Sequence, residues 1–106
     1  AVRPLRPLAI LVNCCPIDVA SEALDAIVAA AGDVPAGVYA NGLGTPDDAA
    51  GWRFEPGRGA DRAAYRAAVE RWVARGARWV GGCCGTTPAY VEDVRDVLDR
   101  HVRRRP

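Results

Sequence analysis

Four cysteines in two adjacent pairs, Cys14-Cys15 and Cys83-Cys84, hold most of the reactive chemistry of this chain. The second pair sits in the run Gly81-Gly82-Cys83-Cys84-Gly85. Three thiolates at about 2.3 Å suit Zn²⁺ and leave a fourth position open, the pattern of a catalytic zinc site. Neighbours in a regular strand point to opposite faces, so Cys83 and Cys84 can share one ion only if the backbone turns sharply beside them. Glycine reaches conformations closed to other residues, and glycine stands on both sides of the pair. Either Cys14 or Cys15 would bring the third sulfur, because both cannot easily join. The plain reading of any single cysteine is a small buried hydrophobe. The glycine-flanked pair, with a second pair far upstream, favours metal instead. A redox motif of the Cys-x-x-Cys kind is absent.

Three thiolates on Zn²⁺ carry a net charge of about −1, and a substrate thiol in the open position would lose its proton there. The bound sulfur would stay electron-rich and could attack an alkyl group at neutral pH. Water activation is the other use of an open zinc position. Three anionic sulfurs make the metal a poorer acid than three histidines would, so thiol activation is the favoured chemistry.

Three strand-then-helix units position these residues. Leu8 to Val12 is a continuous apolar run suited to a buried parallel strand. Asp18 is expected to cap a helix reaching Ala31, with Ala20, Ala23, Leu24, Ile27, Val28 and Ala31 on its apolar face. Gly32 would stop it. Ala36 to Ala40 reads as a second strand ending at Asn41-Gly42. A long polar connection follows, to about Gly59, in which Trp52 and Phe54 either line a pocket or anchor the loop. Asp61 caps the next helix, whose apolar face is Ala64, Tyr65, Ala68, Val69, Trp72, Val73 and Gly76. Ala77 to Gly82 is the third strand. Thr87 and Pro88 open the last helix, expected to bury Val91, Val94, Leu98 and Val102. Arg100, Arg103, Arg104 and Arg105 crowd its C-terminal end, where positive charge suits the helix dipole. His101, the one histidine, is expected at the surface.

Successive strand–helix units imply an α/β fold with parallel strands. In such folds binding groups gather at the carboxyl ends of the strands. Cys14-Cys15, Asn41 and Cys83-Cys84 all fall at those ends.

The chain has 106 residues, one segment with no second domain, and 20 of its residues are alanine. The core is therefore expected to be thin. All 14 basic residues are arginine, yet the net charge is only +1, which argues against a nucleic-acid partner. No apolar run approaches the roughly 20 residues of a membrane span, and no signal peptide is visible. A cytoplasmic protein with reduced thiols is expected. Methionine is absent, so Ala1 is expected to follow a break in a longer chain.

Val12-Asn13-Cys14 after a strand and Gly81-Gly82-Cys83-Cys84-Gly85-Thr86-Thr87-Pro88 before a helix resemble the homocysteine S-methyltransferase family. Tyr39-Ala40-Asn41 is similar to that family's Tyr-Pro-Asn strand end. The resemblance runs from about Leu8 to Asp99. It implies Cys14, Cys83 and Cys84 as zinc ligands, with Cys15 the bystander, and no catalytic group beyond those ligands. It implies Asn41 at the substrate pocket. The implied reaction is methyl transfer from an unidentified donor to zinc-bound homocysteine thiolate, giving methionine. Tyr90 stands where the family often has histidine, and Leu11 where glycine is frequent; both read as drift. The family fold is a (β/α)8 TIM barrel, which needs about 250 residues. The three units here resemble units six to eight, so the N-terminal part of the barrel becomes the implied partner. The segment alone is expected to be inactive. The alternative is a non-catalytic zinc-binding half-barrel or interaction module that needs a partner chain.

Overall fold

The computed structural model describes residues 3–54 and 57–104. Ala1, Arg105 and residues 55–56 of the long connection lie outside the described residues. Element order is a short 3-10 turn (Arg3–Leu5), β1 (Ile10–Asn13), α1 (Ile17–Ala31), β2 (Ala36–Tyr39), β3 (Thr45–Asp47), β4 (Gly51–Arg53), α2 (Arg62–Arg75), β5 (Ala77–Val80) and α3 (Pro88–Arg104). The three expected strand–helix units are all present. β1, β2 and β5 form one parallel sheet in that order.

The sheet has one covered and one open face. Ala36 and Val38 are buried beneath the helices with Val69, Trp72 and Val73 of α2 and Leu24 of α1. Gly37 points the other way: a Cβ there would stand 2.7 Å from Trp79 Cβ and 2.8 Å from Leu11 Cγ. Its bare backbone lets those side chains close over it. A bulge at Arg78 sets this arrangement, since Ala36 pairs with Ala77 but Gly37 pairs with Trp79. Val80 then packs against the core, while Trp79 stays 51 % exposed on the open face.

Helix boundaries follow local chemistry, with two corrections. Asp61 caps α2 as expected, accepting from Ala64 N–H at 2.8 Å. Asp18 does not cap α1. That helix starts at Ile17 behind Pro16, with no side-chain cap, which places Asp18 inside its first turn. Gly32 and Gly76 end α1 and α2 in positive-φ conformations.

The face of α3 is also rotated from expectation. Tyr90, Val94 and Val97 are buried, whereas Val91 and Val102 are exposed. The reason is its neighbour: α3 packs chiefly on α2, not flat on the sheet. Tyr90 Oη donates to Ala60 O at 2.9 Å and fixes that rotation. Tyr90 is thus a core residue with its own hydrogen-bond partner. Ion pairs join the same helices outside, with Arg62 on Asp93 at 2.6 Å and Arg66 on Asp93 and Asp96. His101 is half-buried where surface was expected. Ala64 and Gly76, assigned to the apolar face of α2, are exposed.

The long connection is not featureless. β3 and β4 pair as an antiparallel hairpin, pinned by Asp47, whose carboxylate accepts from Ala49 N–H, Ala50 N–H and Arg53 Nε. Among the described residues no helix is long and apolar enough to cross a membrane.

Candidate metal centre

Each strand end delivers its residues by a different backbone device. After β1 the chain makes one more ladder bond, from Cys14 N–H to Tyr39 O at 3.2 Å. Cys14 then adopts φ +54, a left-handed conformation that a non-glycine residue holds only at a cost of about 1–3 kcal/mol. The sharp turn expected beside Cys83 and Cys84 thus has a counterpart on Cys14 itself. After β5, Cys83 N–H donates to Ala40 O at 2.9 Å, and the chain turns at once. The turn closes on the Cys83 carbonyl, which accepts from Thr86 N–H at 3.3 Å and Thr86 Oγ1 at 2.7 Å.

The three glycines around the pair have separate roles. Gly85 has φ +77, and a Cβ there would run into Leu43 O, so it is the one that turns the backbone. Gly82 makes room for Thr86, whose Oγ1 would be 2.6 Å from an added Cβ. Gly81 does neither, since the nearest atom to its Cβ position is 3.7 Å away.

These turns bring Cys14, Cys83 and Cys84 together, with all three Sγ atoms within 4.8 Å of one another. Two sulfurs on one tetrahedral zinc lie about 3.8 Å apart, as bond lengths of about 2.3 Å require. A small inward movement therefore closes the three thiols around an ion, and the donor set fits zinc. Cys14 and Cys84 are exposed at the rim and Cys83 is half-buried, which leaves the group open to solvent on one side. Without a cation the thiols oppose each other's ionisation. Cys14 is pushed up to about 11, first by its hydrogen bond to Cys83, then by the Cys83 charge and by Cys84. A divalent cation relieves that repulsion. Cys15 lies outside the group of three and packs against the core. Burial raises its thiol above the usual range, with Asp18 and Cys83 adding to the effect.

Beside Cys14 opens a cleft of about 460 Å³, walled by Ile17, Pro46, Trp52 and Ala60, with Asp18 and Asn41 as polar members. Asn41 is only 7 % exposed, and among the described residues its Oδ1 has no hydrogen-bond partner. A buried acceptor without a donor costs about 1–3 kcal/mol. Such an atom is a natural contact for a ligand's N–H or O–H. The hairpin separates the two loop aromatics: Trp52 lines the cleft and donates from Nε1 to Leu43 O at 3.0 Å, while Phe54 stays 64 % exposed.

The sequence profile of homocysteine S-methyltransferases matches residues 1–98. The chain belongs to the homocysteine S-methyltransferase family. No individually curated protein matches it. The family match takes in β1, β2, β5, all four cysteines and Asn41. It also includes residues beside the site whose position residue type and spacing did not announce. Asp18, expected to cap a helix, lines the cleft instead, and Trp52, for which lining a pocket and anchoring the loop both stood open, does both. Tyr65 was read as part of an apolar face. It is buried directly under the strand ends, and its Oη donates to Gly81 O at 2.7 Å and lies 3.1 Å from Ala40 O. Burial pushes its phenol up to about 12, so it remains a donor throughout the physiological range. No sequence signal distinguishes that hydroxyl from an ordinary core ring.

Proposed function

We propose that this protein takes part in methyl transfer to the thiol of homocysteine, giving methionine, with zinc held by Cys14, Cys83 and Cys84. The observation that carries this reading is the convergence of those three thiols at one rim, beside a cleft, in a chain of this family. Zinc bound there supplies an open position at which a thiol is deprotonated and stays nucleophilic at neutral pH.

The chain's own residues orient and shelter the substrate. Asn41 Oδ1 accepts an N–H or O–H from it, gaining the partner that it lacks. Ile17, Pro46, Trp52 and Ala60 exclude water from the cleft wall, which strengthens that hydrogen bond. Cys15 packs and does not ligate. The methyl donor enters from the open side of the thiol group, and the reaction is cytoplasmic.

The three strand–helix units fit units six to eight of a (β/α)8 barrel. Parallel sheets occur almost only with both faces covered, and here Leu11, Tyr39 and Trp79 face outward on the open side. Further strand–helix units, on the same polypeptide or a partner chain, cover that face and complete the substrate site. The second reading is a zinc-binding half-barrel or interaction module without catalysis of its own, whose uncovered face, with Trp79 exposed, would dock on a partner chain.

The test is a transfer assay with homocysteine and each of betaine, S-methylmethionine and methylcobalamin. It is run on the protein alone and with the remaining barrel units of a relative. Methionine formed only in the reconstituted sample supports the enzyme reading. Zinc binding without methionine in any combination supports the half-barrel module.

A further inference from the structure

We propose that Tyr65 is the positioning residue of the metal centre: its hydroxyl ties the end of β2 to the end of β5 and sets the spacing of the three thiols. This deepens the zinc reading and rests on it.

The phenol reaches the underside of the site from α2. One hydroxyl hydrogen serves two carbonyls, Gly81 O at 2.7 Å and Ala40 O at 3.1 Å. Both carbonyls lie within two residues of the site, since Ala40 is followed by Asn41 and Gly81 leads through Gly82 into Cys83. Ala40 O also accepts the Cys83 amide at 2.9 Å. Three groups thus meet at one point below the thiols. The ring cannot swing away. It is 1 % exposed and held edge-on by Trp72 at 5.6 Å and Tyr90 at 5.4 Å between centroids. Trp72 is anchored in turn on Ser21 Oγ of α1 at 2.8 Å. The hydroxyl is therefore fixed by the packing of two other helices, as a group that orients metal ligands must be.

Tyr90 provides the control. It belongs to the same buried aromatic trio and also donates one hydrogen bond, but to Ala60 O on the cleft wall, and not to a carbonyl of the strand ends that lead into Asn41 and Cys83. The experiment compares Tyr65→Phe with Tyr90→Phe. It measures zinc affinity by chelator competition, the cobalt-substituted absorption spectrum, and thermal unfolding of the metal-free protein. The expected result is a zinc affinity about tenfold weaker in Tyr65→Phe, the size of effect typical for groups that orient ligands. Its cobalt bands should shift, while its melting temperature falls no further than that of Tyr90→Phe. Tyr90→Phe should keep wild-type affinity and spectrum. Wild-type affinity and spectrum in Tyr65→Phe overturn the proposal, and so does equal weakening in both variants. A wild-type protein that binds no zinc overturns the metal reading itself, which keeps the two failures distinct.

Discussion

The backbone N–H of Asn41 donates to the carbonyl of Cys15 at 2.9 Å, so the turn that carries Cys14 and the strand end that carries Asn41 are one unit. The thiol group and the cleft share that unit as a wall. A change in either loop is therefore felt in both, and variants in the two loops should couple when combined.

Serine at Cys14, Cys83 or Cys84 is expected to abolish stoichiometric zinc binding, while Cys15→Ser keeps it. Metal content after gel filtration, with one equivalent of zinc supplied, checks this. Loss of zinc in Cys15→Ser together with retention in Cys14→Ser would reverse the assignment of the first pair. Because zinc displaces thiol protons, apparent affinity in the wild type should fall as pH falls.

Gly85 and Gly81 should respond oppositely to alanine. Gly85 combines φ +77 with a Cβ position blocked by the Leu43 carbonyl, a backbone atom that cannot swing aside. Gly85→Ala is expected to destabilise by more than about 1 kcal/mol, as alanine does where φ is positive, and to weaken metal binding. Gly81→Ala has space and ordinary φ, and should fall within about 0.5 kcal/mol of wild type. Urea unfolding of the two variants tests the contrast.

That contrast also shows where sequence reading stopped. Gly81, Gly82 and Gly85 look alike as neighbours of a cysteine pair, and only the placement of Thr86 and Leu43 tells them apart. The strand ends were legible because apolar runs stop at Asn13, Asn41 and Gly81, and the parallel order followed from alternation with helices. The rotation of α3 was not legible. Val91, Val94, Leu98 and Val102 form as regular a stripe as Tyr90, Val94 and Val97, and the choice was made by α2 and the Tyr90–Ala60 hydrogen bond. The hairpin stayed hidden because its strands are three residues each and contain Pro46 and Gly51. The left-handed turn at Cys14 could not be foreseen, since nothing in a cysteine favours positive φ.

Acid should loosen the α2–α3 pair. The Arg62 hydrogen bond holds the Asp93 carboxyl below the usual carboxylate range, and Arg66 does the same for Asp96. A depressed carboxylate pKa means that the native state binds the proton less readily than the unfolded chain. The stabilisation is therefore fully present above the unfolded value of about 3.9 and is lost as pH falls through the lower folded value. Asp93→Asn should lower stability at pH 7 and flatten the pH dependence between about 4 and 2. Denaturant midpoints at pH 7 and pH 3 measure both effects, and an unchanged slope in the variant would assign the acid limb to other groups.

Asn41 should set stability against function. Its Oδ1 is buried without a donor among the described residues, a position a folded chain keeps only at a cost. Replacing it by leucine, of similar size, removes the unsatisfied acceptor and adds apolar contact with the buried surface nearby. Removal of an unsatisfied buried polar atom is worth about 1–3 kcal/mol. The gain in Asn41→Leu should lie at the low end of that range, because the cleft is partly open. The same variant loses the acceptor that a substrate N–H or O–H would use. Its zinc content should be unchanged, since Asn41 is not among the three clustered thiols. Homocysteine binding to the zinc-loaded protein should weaken by about tenfold, the equivalent of one hydrogen bond of about 1.4 kcal/mol. Thermal unfolding and calorimetric titration with homocysteine separate the two effects. A variant that is less stable than wild type, yet binds homocysteine equally well, would show that the Asn41 amide serves packing and not the ligand.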